Sequence, residues 1–181
     1  MKKEPTRIVA PAEYQIPDTF AHEVGNIIVR WAYLEQAVRR VAWDLLGVNP
    51  KIGRIAVRDP RLDDYLDMIV DLAYLKKIPL NTADISSLKT KVNEVAQWRD
   101  LLGHGIWIPN NGQWLIQRTS GNYPKSYSAE HRKRRINPEG VNVDADGLNS
   151  ISEAIGILIN EVLTIRASLA LTSLIVPDLA R

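Results

Sequence analysis

The sequence predicts an all-α fold, in which four to five helices form a bundle that carries one small β-hairpin. Four long stretches repeat apolar residues at alternating intervals of three and four, the spacing of one helical face. One short stretch, 106–118, alternates with period two around an Asn-Gly pair, which is a strong hairpin signal. The chain has 181 residues, 45% hydrophobic and 24% charged, which fits one soluble globular domain over 1–181.

The first helix is predicted over 18–46. Residues 1–17 contain three prolines and little periodicity, so we expect an extended lead-in. Asp18 is a suitable N-terminal cap, and Gly47, followed shortly by Asn-Pro, is suited to end the helix. The apolar positions form one unbroken stripe: Phe20, Val24, Ile27, Trp31, Leu34, Val38, Val41 and Leu45.

A second long helix is predicted over 60–77, after a segment, 50–59, that fits only a short helical turn. Pro79 stands just beyond its end, where a proline cannot continue a helix. Four apolar side chains with helical spacing are expected to face inward: Leu62, Tyr65, Ile69 and Leu72.

The third long helix contains a residue that breaks the apolar pattern. Asn81 or Thr82 is suited to cap it, and Gly103 and Gly105 are expected to stop it. Five of its six inward positions are aliphatic and one is an arginine: Ile85, Leu88, Val92, Val95, Arg99 and Leu102.

The last third of the chain is predicted to hold the hairpin over 106–118, a polar basic loop over 119–140 and a final helix over 146–175. Glycines and prolines punctuate the loop, whereas Pro177 follows the helix. The apolar stripe of the final helix is Leu148, Ile151, Ile155, Leu158, Val162, Ile165 and Leu169.

Composition excludes several classes of site and favours a cytoplasmic protein. There is no cysteine, so disulfides and thiolate metal sites are impossible, and the N-terminus does not resemble a signal peptide. No run approaches the roughly 18 apolar residues of a membrane span, so we expect no membrane association. Phosphate-binding glycine motifs are absent, which predicts no nucleotide cofactor, and the three histidines lack zinc-ligand spacing.

Arg99 and His104 are the candidate functional residues. An arginine in an apolar face is costly unless it is paired or reaches a cleft, so Arg99 either binds a ligand or pairs with an acid such as Glu35 of the first helix. His104 stands between two glycines at a helix end, where its simplest role is to interact with the free carbonyl groups. Unwinding of the helix at Gly103 is one way to bring the imidazole towards the guanidinium.

The segment Arg99-Asp100-Leu101-Leu102-Gly103-His104 resembles the R-x4-6-H motif of the HEPN superfamily (higher eukaryote and prokaryote nucleotide-binding). A polar residue directly after the arginine is typical of that motif, and Asp100 fits it. The phrase His104-Gly105-Ile106-Trp107 is similar to bacterial and phage members of unknown function. The likeness extends more loosely to Trp31-Ala32-Tyr33-Leu34-Glu35 and to the all-helical layout.

This resemblance implies a helical homodimer in which two copies of the motif face each other. It also implies ribonuclease activity without a metal in many members, often as toxins paired with an antitoxin or in phage defence, whereas other members are inactive binding or adaptor modules. Arg99 and His104 would then be catalytic, and Asp100 either orients one of them or is a solvated helix residue.

These residue types suit RNA cleavage without a cofactor. The guanidinium of Arg99 is a planar, permanently charged group that matches a phosphate, and the imidazole of His104 titrates near neutral pH. One histidine per chain is few for the two proton transfers, but a dimer places two in one cleft.

A basic segment over 118–135 is the candidate RNA-binding surface. It holds six basic residues against one acid, a local charge of +5 in a protein of net charge +2, and two tyrosines lie among them. We expect its cations to contact RNA phosphates, although a solvated loop explains them equally well: Arg118, Lys125, Arg132, Lys133, Arg134 and Arg135.

Three functions remain open at this point. The first is a metal-independent ribonuclease, which needs Arg99 and His104 in an accessible cleft. The second is an inactive HEPN-like dimer that binds a nucleotide or a partner protein, in which these residues form a structural pair. The third is a helical nucleic-acid-binding regulator that uses 118–135 and does not depend on Arg99.

We also expect a homodimer, because Tyr33, Trp43 and Trp98 lie off the core seams and need cover from the hairpin or a second chain.

Overall fold

The structure is a computed structural model that describes residues 16–57, 60–110, 113–117 and 140–175, with side chains up to Leu169. The described part contains five helices and three strands: α1 (Asp18–Leu46), α2 (Pro50–Ala56), α3 (Leu62–Leu75), α4 (Thr82–His104), β1 (Ile106–Asn110), β2 (Gln113–Gln117), β3 (Val141–Val143) and α5 (Ala145–Ile175). The mostly helical fold with a small β-structure is thus confirmed.

The helices end where short-range chemistry ends them. Gly47 adopts a left-handed conformation with φ of 73°, and its N–H donates to the carbonyl of Asp44 at 3.1 Å, which closes α1. The side chain of Asn81 accepts a hydrogen bond from the N–H of Ala83 at 3.1 Å and so caps α4. These two ends agree with the sequence prediction. The expected cap at Asp18 is wrong, because Asp18 is the first residue of α1, Pro17 precedes it as the N-cap, and no side chain caps this end.

α3 is shorter than the predicted 60–77. The carboxylate of Asp64 accepts a hydrogen bond from the N–H of Arg61 at 3.0 Å, so the helix begins after Arg61. At the other end Lys77 takes a positive φ of 55°, and the N–H of Ile78 returns to the carbonyl of Ala73. Its fully buried residues also differ from the predicted stripe: Tyr65, Leu66, Ile69 and Ala73.

α1 is the centre of the core, and α3, α4 and α5 all contact it. Its predicted stripe is buried from Ile27 to Leu45. Arg30 Nη1 donates to the carbonyl of Ser152 and Arg166 Nε to Asp44, two pairs with the same offset of 122 residues, so α1 and α5 run in the same direction. α4 runs against α1, because Gly103 lies beside Ile28 whereas Arg99 lies beside Trp31.

The predicted hairpin is one part of a three-stranded antiparallel sheet with strand order β1-β2-β3. β1 pairs with β2 from Ile106 opposite Gln117 to Asn110 opposite Gln113. The sequence prediction missed β3, since three residues are too few to display a period of two. The sheet packs on the end of α4, where Gly105 has no side chain and Ile116 of β2 fills the space.

Trp43 corrects one argument for a homodimer. We expected this side chain to need cover from the hairpin or a second chain, but it is buried beneath α2 of the same chain. The ring lies so close to Gly53 that a Cβ there would be 2.6 Å from it. Trp98 is half-buried between α4, β3 and α5, and only Tyr33 is left largely exposed, at 70%.

By length and composition, one described helix, within α5 over 145–169, is apolar enough to cross a membrane. Such a helix is weak evidence, because core helices of soluble proteins have the same composition. Here its apolar stripe packs on α1 and α4, and Leu148, Ile155 and Leu158 are buried.

The contact between Gly53 and Trp43 predicts opposite effects for one substitution at two helical glycines. Gly53→Ala places a methyl group into the buried indole and should lower the free energy of unfolding by about 1–3 kcal/mol. Gly25→Ala, in α1 with nothing within 4 Å, should raise it by about 0.5–1 kcal/mol. Urea denaturation of both variants checks this, and a Gly53→Ala protein as stable as the wild type contradicts the packing.

Candidate functional site

The motif residues lie along the last turns of α4, which continues unbroken through Gly103 to His104. The expectation that Gly103 stops the helix is therefore wrong, and the helix does not unwind there. The N–H of Gly105, the C-cap residue, still donates to the carbonyl of Leu101 at 2.8 Å, which keeps the last turn helical. Five helical steps separate Arg99 from His104, so their side chains leave the axis about 140° apart. Arg99 and Asp100 are half-buried, and His104 is exposed.

Arg99 is held between an aromatic ring and a carboxylate. Its Cζ lies 5.1 Å from the centroid of the Trp31 ring of α1, and Nη1 lies 2.7 Å from Oδ1 of Asp100. The side chain keeps 28% exposure. The arginine thus covers the apolar seam with its plane and places its charge at the surface, which removes most of the cost of that position.

Glu35 is not the ion-pair partner of Arg99. Its carboxylate accepts a hydrogen bond from Trp31 Nε1 at 2.9 Å and lies 3.8 Å from Arg39 Nη2. Arg99 pairs with Asp100 instead, whereas Glu35 binds the indole on which Arg99 stacks. Asp100 accordingly contacts Arg99, one of the two roles left open for it.

Arg99 and Asp100 line a cleft of about 740 Å³ between α1, the start of α3 and α4. Its lining contains three arginines and three acidic residues, and two amide side chains lie on the wall contributed by α4. The lining comprises Trp31, Glu35 and Arg39 from α1, Pro60, Arg61, Leu62 and Asp63 beside and within α3, and Val92, Asn93, Ala96, Gln97, Arg99 and Asp100 from α4. Such a surface suits a ligand that carries both charge and hydrogen-bonding groups.

His104 stands at the end of the polar wall of this cleft. Asn93, Gln97, Asp100 and His104 are spaced by four, three and four residues, so they share one face of α4. The lining of the cleft stops at Asp100, and His104 follows one helical turn later, exposed to solvent. Within one chain, the structure therefore brings Arg99 and Asp100 together and leaves His104 at the rim.

Two polar atoms in the cleft wall are buried without a hydrogen-bond partner, Arg99 Nε and Gln97 Oε1. A buried polar group left unpaired costs about 1–3 kcal/mol, so both atoms favour a ligand that pairs with them.

Sequence reasoning missed the cleft residues beyond the motif. Asn93 and Gln97 carried a usable signal, since a polar stripe of helical spacing leads from them to His104. Arg39 and Arg61 gave none, because they come from two other helical segments.

The other sequence candidates have different outcomes. The basic residues Lys125, Arg132, Lys133, Arg134 and Arg135 lie outside the described residues. Asp67 of α3 is not among the sequence candidates; it accepts two hydrogen bonds from Lys89, and that interaction raises the pKa of the lysine. Among the described residues, no group of three or more His, Asp or Glu side chains is placed to hold a metal ion.

In comparisons with family models, curated proteins and solved structures, no match to this chain is found. The resemblance to the HEPN superfamily therefore remains a hypothesis, carried by the motif residues and by the Trp31–Glu35 segment. In the structure these two segments are in contact, since Trp31 is the ring beneath Arg99.

The exposure of the Arg99–Asp100 pair predicts a small effect on stability. Both side chains are partly solvated, at 28% and 40%, so Asp100→Asn should change the free energy of unfolding by less than about 1 kcal/mol. Denaturant titration measures the change, with Asp71→Asn on the exposed face of α3 as the matched control. A loss above about 2 kcal/mol would show that this pair is a structural element of the bundle.

Proposed function

We propose that this protein is a metal-independent endoribonuclease of the toxin or phage-defence type, acting in the cytoplasm through Arg99 and His104. The observation that carries the proposal is the position of Arg99. Its guanidinium is half-buried in an open polar cleft, fixed by Trp31 and Asp100, while His104 is exposed one helical turn beyond Asp100 on the polar face of α4.

The proposed chemistry is transesterification at an RNA phosphate. The 2′-oxygen attacks the adjacent phosphorus as a base removes its proton, and the bond from phosphorus to the 5′-oxygen breaks as an acid protonates that oxygen. The products are a 2′,3′-cyclic phosphate and a 5′-hydroxyl. Arg99 stabilises the charge that develops on the non-bridging oxygens, and His104 transfers a proton.

A second copy of the chain completes the proposed site. One imidazole cannot easily serve the entering and the leaving oxygen together, and within a chain Arg99 and His104 diverge. The outer face of α1 is suited to the contact, because Val29 and Tyr33 lie one turn apart at 65% and 70% exposure. Ile28 beside them lies against Gly103, so this face borders the end of α4 that carries His104.

An inactive binding module is the alternative, and one observation favours it. Arg99 already has a ring and a carboxylate as partners, which is sufficient for a structural arginine at a helix seam. In that case the cleft binds a nucleotide or a partner protein without cleaving anything. If the ligand is RNA, the basic segment 118–135 is expected to contact its phosphates under both proposals.

The ribonuclease proposal predicts the behaviour of Arg99→Ala and His104→Ala. Arg99→Ala should reduce RNA cleavage by about 10²–10³-fold, because it removes a positioned cation. His104→Ala should reduce it by about 10²–10⁴-fold, because it removes a proton-transfer group. The double variant should be only slightly less active than the less active of the two single variants, since the residues act as one unit. Cleavage of labelled RNA with a chelator present, with identification of the 2′,3′-cyclic phosphate, measures this.

His22→Ala is the matched control, because His22 is also exposed, on α1 away from the cleft. Its activity should equal that of the wild type. Full activity in a correctly folded His104→Ala protein contradicts the assignment. Loss of activity with the chelator indicates a metal nuclease, and a wild type that binds RNA without cleaving it favours the inactive module.

The dimer is predicted to depend on Tyr33. Tyr33→Asp places a charge on the proposed interface and should weaken self-association by roughly tenfold or more. Tyr74→Asp is the control, since Tyr74 is 82% exposed at the far end of α3. Sedimentation equilibrium of the three proteins at micromolar concentration decides the matter. A wild type that stays monomeric refutes the dimer and the two-chain site together.

A further inference from the structure

The wall of the cleft at Arg99 contains one buried donor and one buried acceptor that have no partner within the described part of the chain. Arg99 Nε and Gln97 Oε1 are both buried without a hydrogen-bond partner, although their residues line the same opening. Neighbouring groups are already paired: Trp31 Nε1 donates to Glu35, and Arg99 Nη1 contacts Asp100. A ligand that satisfies these two atoms offers an acceptor to the arginine and an N–H to the amide oxygen.

A ribonucleotide offers that combination. Its phosphate accepts hydrogen bonds from a guanidinium, and each of the four bases carries an N–H on the edge that proteins read. The cleft, at about 740 Å³, lies within the range of small-molecule sites and is large enough for one nucleotide. The amide of glutamine both donates and accepts, so it distinguishes bases by their pattern of donors and acceptors.

Arg61 extends this site towards a second phosphate. Its side chain is exposed, lines the cleft just before α3 and makes no ion pair with another described residue. Arg99 and Arg61 thus supply cations to the cleft from two different segments, while Gln97 stands on the α4 wall. This arrangement suits an RNA strand in which successive phosphates contact Arg99 and Arg61 and the base between them contacts the amide of Gln97.

We propose that the cleft between α1, α3 and α4 binds one nucleotide of the RNA beside the cleaved bond, and that Gln97 determines which base is accepted there. The position of this nucleotide beside a cleaved bond rests on the proposed ribonuclease function, whereas the binding of a ribonucleotide to the cleft does not. Gln97 is a specificity-determining residue in this scheme, and Arg99 and His104 remain the reacting pair.

The first arm of the test measures binding of the four ribonucleoside 3′-monophosphates to the full chain by calorimetry. The wild type should prefer one of them by about tenfold, the discrimination typical of one well-placed hydrogen-bonding side chain. Gln97→Leu should reduce that preference below about threefold, whereas Gln113→Leu, on exposed β2, should keep it. No nucleotide binding by the wild type, or an unchanged preference in Gln97→Leu, overturns the inference.

The second arm maps cut positions in an RNA of random sequence. Gln97→Leu should broaden the base distribution at one position beside the cut. Gln97→Glu, which keeps the shape of the side chain but removes its donor, should change the order of preference and guards against a folding defect. Cleavage with an unchanged base distribution in both variants refutes the role of Gln97 alone. Base-selective nucleotide binding that depends on Gln97, without any cleavage, refutes the ribonuclease and supports the cleft.

Discussion

The structure depends on the apolar seam of α1. This helix is 29 residues long and carries buried side chains from Ile27 to Leu45, against which three other helices pack. Burial of such side chains is the main favourable term in folding, so the neighbours of α1 must present matching apolar faces. α4 does so for most of its length, and the position where it does not is Arg99.

Arg99 is accommodated by the chemistry of its own group. A guanidinium is planar and weakly hydrated, so it stacks on Trp31 while its edge reaches Asp100 and solvent. A lysine at this position has no comparable flat face. The residue that interrupts the seam thereby lines a polar cleft against the core, and its Nε is one of the two unpaired atoms in the wall of that cleft.

Prediction from sequence was successful where the physical cause is local. The first helix was placed at its observed ends because Gly47 and the apolar period act within a few residues. The prediction failed where the cause comes from elsewhere in the chain. On α1 alone Trp43 has no cover, yet α2 packs over it. The three residues of β3 show no strand pattern in the sequence, and they form a strand only by pairing with β2.

The site divides in the same way. The sequence by itself determined that an arginine interrupts an apolar stripe and that a histidine ends the same helix. The helical period of the apolar residues is enough to locate the arginine, and the glycine that follows the histidine is enough to mark the helix end. Only the tertiary structure decided that Arg99 stacks on Trp31, that Asp100 and not Glu35 is its partner, and that Arg61 lines the same cleft. Contacts between helices depend on crossing geometry and on competition among several possible partners, and neither is encoded in the spacing along one helix.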